Sequence, residues 1–149
     1  MVSHSMSEND VPDPLKIVHY LLKDDPFSLW MGVEVEEART GYCRISCTVT
    51  ESMLNGFSVT HGGIIFSLAD TALAFSAATY GRVSLAIDNS ISFLKKSTNG
   101  DKIIVISDVI HITHKTGVFE VNVKNSNEEL IALMKGTVYR TGEIIKISE

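Results

Sequence analysis

Residues 62–80, GGIIFSLADTALAFSAATY, constrain this chain more than any other segment. Ile64, Ile65, Phe66, Leu68, Leu73 and Phe75 go round most of a helical cylinder, and a helix that is apolar on all sides has to be buried. Alanines at 69, 72, 74, 77 and 78 keep it thin, so strands can approach closely. The strands are present on both sides. VEVEEA (33–38) and YCRISCTVTE (42–51) alternate about Gly41 as a hairpin. After residue 81, the pattern puts Val83, Leu85, Ile87, Ile91 and Phe93 on one face of a strand. KIIVISDVIHIT (102–113), VFEVNVKN (118–125) and LIALMKGTVYRT (130–141) follow, separated by STNGD, HKTG and SNEE turns, and a short tail strand fits 143–148. LKIVHYLLK (15–23) reads as a short amphipathic helix stopped by Pro26, with FSLWMG (27–32) as a further turn. Two strands, one long helix and four or so antiparallel strands define an α+β domain with one sheet and one main helix. One sheet curled round such a helix covers only part of it, and the remaining face is expected to meet another subunit.

With 149 residues, 44% of them hydrophobic, the chain can fill a single core. That domain is expected over 15–149, behind a polar, proline-marked and disordered lead-in at 1–14. No apolar run approaches the ~18 residues that cross a bilayer, and the start lacks the basic and apolar blocks of a signal peptide. A cytoplasmic protein without a membrane partner is expected. A net charge of −5 with scattered basic residues argues against nucleic acid as a partner, though a few local lysines could hold a ligand carrying phosphates. Cys43 and Cys47 fall on one face of a strand, too far apart to bridge, and read as reduced core thiols.

Asp70 is the only carboxylate between Gly62 and Gly81, a stretch that also lacks Lys and Arg. Burying an unpaired acid is costly. From residue chemistry alone two readings stand: a structural acid accepting hydrogen bonds from Ser67, Thr71 or a neighbouring strand, or a reactive one. His61-Gly62-Gly63 favours the second. Glycines at a helix start leave backbone N–H groups open to a ligand, and an oxyanion forming on a carbonyl would be stabilised there. Gly63 and Asp70, seven residues apart, share a helix face but lie about 10 Å apart along the axis. One carbonyl carbon cannot be about 3 Å from both. If both serve one reaction, the acid meets the donor of a second, antiparallel helix, as a two-fold pair of chains would arrange.

MLNGFSVTHGGIIFSLADTALAFSA (53–77), with KTGVFEVNV (115–123) downstream, closely resembles the signature of the PaaI-like thioesterases of the hotdog-fold superfamily. The resemblance implies a curved antiparallel sheet wrapped round one long central helix, assembled as a homodimer and further as a homotetramer. It implies hydrolysis of acyl-coenzyme A thioesters, including phenylacetyl and hydroxyphenylacetyl forms, with no metal and no cofactor. Residue by residue, it implies that Asp70 is the catalytic carboxylate, as base or nucleophile, and that the Gly63 N–H polarises the thioester carbonyl. His61 and Asn55 would shape the opposite side, with Asn55 orienting water or the carboxylate. Gly62 and Thr71 would line the substrate site. The catalytic serine of some relatives corresponds to Ala86.

His111 and His114 are three apart on a strand and its turn, a spacing that sends them to opposite faces and argues against a metal pair. A non-catalytic acyl-coenzyme A sensor would need a DNA-binding segment, for which the first 30 residues offer no basic helix pair. A hydratase or dehydratase would need a different histidine-containing acid–base pair among prolines, whereas the prolines here are at 12, 14 and 26.

Overall fold

The computed structural model describes residue 7 and residues 10–148; most of the expected lead-in lies outside these. The domain takes hold before residue 15. Asp13 accepts from the Lys16 N–H at 3.3 Å and Pro14 occupies the first turn of α1 (Pro14–Lys23), a capped start whose orphan donor and missing N–H match. Val11 already packs beside Ile17 and Ile145. The segment expected to be a turn is a second short helix, α2 (Pro26–Met31), capped by Asp25 and ended by Gly32 at φ 73°. Its Phe27 and Trp30 stack with ring centroids 6.0 Å apart and stay exposed.

β1 (Glu34–Arg39) and β2 (Tyr42–Thr48) form the hairpin. Its turn needs Gly41: φ is +75°, and a Cβ there would lie 2.6 Å from the Tyr80 hydroxyl. The chain then runs through α3 (Gly62–Ala78) into β3 (Arg82–Phe93), β4 (Lys102–Ile112), β5 (Thr116–Asn125) and β6 (Leu130–Ile144). These make one six-stranded sheet, ordered β1-β2-β4-β5-β6-β3 and antiparallel throughout. The sheet curls round α3, the hotdog arrangement. Leu68, Ala69, Ala72 and Leu73 pack without exposed surface against Ile45, Val105, Phe119, Val121 and Met134. Each large side chain so buried contributes about 1.5–3 kcal/mol. The side of α3 away from the sheet keeps a partly open stripe along Gly63, Phe66, Ser67, Asp70, Thr71 and Ala74.

Two expectations about strands need correction. β6 continues unbroken to Ile144, so no separate tail strand forms; instead Ile145 donates its N–H to Gly81 O at 2.9 Å and is buried. In β3 the five apolar residues do not share a face. The pairing with β6 slips between Arg82 and Ser84, where β6 holds the extra residues, and again between Ala86 and Asp88, where Ile87 is the extra residue of β3 and reverses the alternation beyond it. Leu85 and Ile87 are 59% and 60% exposed, while Ile91 packs against the core. Among the described residues β3 pairs only with β6, which leaves its other edge open. No helix is long and apolar enough to cross a membrane among these residues.

Candidate active site

The loop ahead of α3 is built on Asn55. Its Oδ1 accepts from the Phe57 N–H at 2.9 Å and the Val59 N–H at 3.2 Å, an Asx turn that lets Ser58 adopt φ 58°. Leu54 bridges Thr60, Thr60 donates to Ser97 O and His61 donates to Met53 O, both at 2.8 Å. These bonds hold the first turn of α3 firmly on the sheet. They also fix the Asn55 amide: with its carbonyl committed to the loop, it has only N–H donors left to offer a ligand.

His61 is the N-cap of α3. Its Nδ1 accepts from the Gly63 N–H at 2.9 Å. An accepting Nδ1 carries no proton, so the neutral ring holds its hydrogen on Nε2. The Gly63 N–H, expected to polarise the thioester carbonyl, is thus engaged within the helix cap. An N-cap acceptor reaches the second or third helical N–H, and here it takes the second, which is Gly63. The Gly62 N–H has no partner among the described residues. Gly62, expected only to line the site, is the residue with a donor to spare.

Two turns further on, Asp70 sits on the open stripe. The hydroxyls expected to satisfy it are engaged elsewhere: Ser67 Oγ donates to Gly63 O at 2.7 Å, and Thr71 Oγ1 lies 3.3 Å from Ser28 Oγ, tying α3 to α2. Asp70 Oδ1 instead accepts from Asn89 Nδ2 of β3 at 2.9 Å. Sequence reasoning missed Asn89: alternation places it on one face with Ile91, but no pattern in the sequence pairs it with Asp70. Ala86 is exposed on the same strand. The structure thus gathers Asn55, His61, Gly62 and Gly63 at one end of α3 and holds Asp70 and Thr71 mid-helix. Gly62 and Asp70 are eight residues apart, about 12 Å along the axis.

A cavity of about 350 Å³ opens beside Gly62. Ile65, Phe93 and Ile131 give it an apolar wall, and Lys95 and Lys96 stand at its rim. Lys95 is paired with Glu129, whereas Lys96 has no carboxylate partner among the described residues.

The sequence profile of the Thioesterase superfamily matches residues 57–132. A putative esterase of Archaeoglobus fulgidus is 38% identical over 128 residues, covering 86% of this chain and 83% of its own. The acyl-coenzyme A thioesterase PaaI of Escherichia coli K12 is 32% identical over 127 residues, covering 85% and 91%. The solved structure of the E. coli PaaI protein of the phenylacetic acid degradation operon superposes with a TM-score of 0.87 at 31% identity, covering 89% of this chain and 96% of that one. A Streptococcus mutans protein solved with bound acetyl coenzyme A superposes at 0.74 with 25% identity, covering 76% and 91%. The chain belongs to the thioesterase superfamily. It is a PaaI-like hotdog thioesterase, a hydrolase of thioester bonds.

Proposed function

We propose that this protein hydrolyses acyl-coenzyme A thioesters, with aryl-acyl groups of the phenylacetyl type as the first candidates. The observation that carries the reading is the pairing on α3 of a spare N–H at Gly62 with a carboxylate, Asp70, on the helix's open stripe. In the proposed reaction the thioester oxygen accepts from the Gly62 N–H of one chain, aided by Asn55 Nδ2 and His61 Nε2–H. Negative charge grows on that oxygen as the carbonyl is attacked, and a fixed donor stabilises it more than it stabilises the substrate. Asp70 of a second chain drives the attack, as base for water or as nucleophile. The tetrahedral centre then collapses and expels the thiolate of coenzyme A. As nucleophile, Asp70 forms a mixed anhydride that water then hydrolyses to free acid; label found in Asp70 after a single turnover in ¹⁸O-water identifies that route, with water entering at the Asp70 carbon. The cavity beside Gly62 suits the pantetheine arm, with Lys96 near the phosphates. The kinship with an acyl-coenzyme A thioesterase supports the substrate class.

Two chains are required because about 12 Å of helix separates donor from acid. β3 supports this assembly. A long, unpaired edge bearing Leu85, Ile87 and Phe93 is a template for a second strand, and a second copy laid against it would bring the two open α3 stripes together, giving a homodimer with two sites. Phe27, Leu29 and Trp30 on α2 remain exposed and are available for joining two dimers into a tetramer.

The test is thiol release from a panel of aryl and fatty acyl-coenzyme A esters, with Asp70→Asn beside the native protein. Native turnover of at least one ester, reduced about a hundredfold or more in the variant, is expected. No hydrolysis of any ester, or full activity in the variant, would overturn the assignment.

A further inference from the structure

Asn89 is an odd residue to find facing a helix that is otherwise apolar. Its amide orientation is forced: a carboxylate only accepts, so Nδ2 must face Asp70 Oδ1, 2.9 Å away. Asn89 Oδ1 then points into the interior, where it is buried and has no hydrogen-bond partner. An unpaired buried carbonyl oxygen lowers stability relative to an apolar side chain of the same shape.

The fold nevertheless makes room for it in two ways. The slip between Ala86 and Asp88 turns Asn89 toward α3. Opposite Asn89 in the ladder stands Gly136, whose missing side chain is the seat of the amide: a Cβ there would lie 2.8 Å from Asn89 Oδ1 and 2.5 Å from Leu73 Cδ2. Gly136 and Leu73 therefore hold the amide in place. Asp70 receives no other side-chain hydrogen bond among the described residues, since Ser67 and Thr71 are engaged elsewhere.

We propose that Asn89 is the positioning residue of the catalytic acid. It pins Oδ1 of Asp70, fixes the plane of the carboxylate and leaves Oδ2 as the oxygen that takes the proton of water or attacks the carbonyl. The stability given up at Asn89 Oδ1 is exchanged for a carboxylate that does not have to reorient during the reaction. This inference rests on the reading of Asp70 as the reactive acid.

The experiment compares kcat, KM and Tm for the native protein, Asn89→Leu, Asn89→Asp and Asp70→Asn. Leu removes both the donor and the orphan oxygen at similar volume. Asp keeps the shape but sets a second carboxyl against Asp70, which repels it when ionised and shares its proton when not. Both Asn89 variants are expected to lose about tenfold or more in kcat, with KM within about twofold, because the acid is misaligned while the binding cleft is untouched. Asn89→Leu should melt no lower than the native protein. A purely structural Asn89 gives the reverse, a fall in Tm with kcat kept, and overturns the inference. Should Asn89→Leu fail to fold, Asn89→Ala, which removes the donor and adds no charge, decides: a kcat within twofold of native overturns the inference, and a tenfold loss with KM within twofold supports it. If Asp70→Asn is inactive while both Asn89 variants turn over normally, the positioning role fails and the thioesterase reading stands. If Asp70→Asn keeps native turnover, both fall.

Discussion

Cys43 has no exposed surface on β2, and burial pushes its thiol up to about 12. Cys47, almost as enclosed, is pushed up to about 11 by the same desolvation, and its Sγ donates to Met31 O at 2.9 Å. At pH 8 the thiolate fraction of either is about one part in a thousand or less. The native protein should therefore give no colour with Ellman's reagent and two thiols per chain once unfolded; prompt reaction of either in the native state would contradict this burial. The thiol-release assay then carries no background from the protein itself. The same scale holds the least legible part of the site. His61 is not a residue type that commonly caps helices, so nothing in the sequence says that it takes the Gly63 N–H and leaves Gly62 free. Asp70 was legible as the lone acid of an apolar helix, but its partner was not. Asn89 lies within IDNSISF with the same parity as Ile87 and Ile91; the slip before Asp88 parts it from exposed Ile87 and leaves it on the inner face with Ile91, and nothing in that pattern says that it meets Asp70.

Among the elements, long periodic stretches were legible and local irregularities were not. The apolar cylinder of α3 and the alternation of β2, β4 and β5 follow from burial, which acts over many residues. α2 arises from a capped Asp25-Pro26 start spanning one turn and a half, too short for periodicity to register. Slips in the ladder cost little locally, so alternation alone cannot locate them. The slip in β1 shows what such a feature can do. Glu36 is the extra residue between the Val35 and Glu37 pairs, and its carboxylate reaches Arg44 at 2.7 Å and Lys102 at 3.3 Å, tying the edge strand to β2 and β4. The hydrogen bond from Arg44 is the main reason its carboxyl is held below the ordinary value of 4.5. A group depressed on folding stabilises above its unfolded pKa, and the contribution is lost as pH falls through the folded value. Glu36→Gln should cost about 0.2–1 kcal/mol at pH 7, the range of a partly exposed pair, and the difference should shrink towards zero in acid below the carboxylate range. Urea unfolding of both proteins at pH 7 and pH 3 measures it; a gap that widens in acid would contradict the pairing.

For the whole molecule, the decisive question is whether each site takes groups from two chains. Gly62→Pro removes the proposed donor gently. Proline is well tolerated at the first helical position, and a Cβ there would meet only the Phe93 ring, at 3.4 Å. Gly62→Pro and Asp70→Asn should each be nearly inactive alone. Refolded together at equal amounts, about half the dimers are mixed, and each mixed dimer has one site with both defects and one with neither. About a quarter of native activity should return. None returning from a mixture shown by native mass spectrometry to contain mixed dimers would rule out the shared site. The sheet order has a further consequence, in time rather than in space. β3 lies beside β6, the last of the six described strands to be made, so from the moment Phe93 is synthesised until Leu130–Ile144 follows, β3 lacks the described strand with which it pairs. At about 5–20 residues per second of synthesis that interval lasts seconds. Throughout it Gly136, the seat of the Asn89 amide, does not yet exist, and the acid on α3 waits for β6 before it can be held in place.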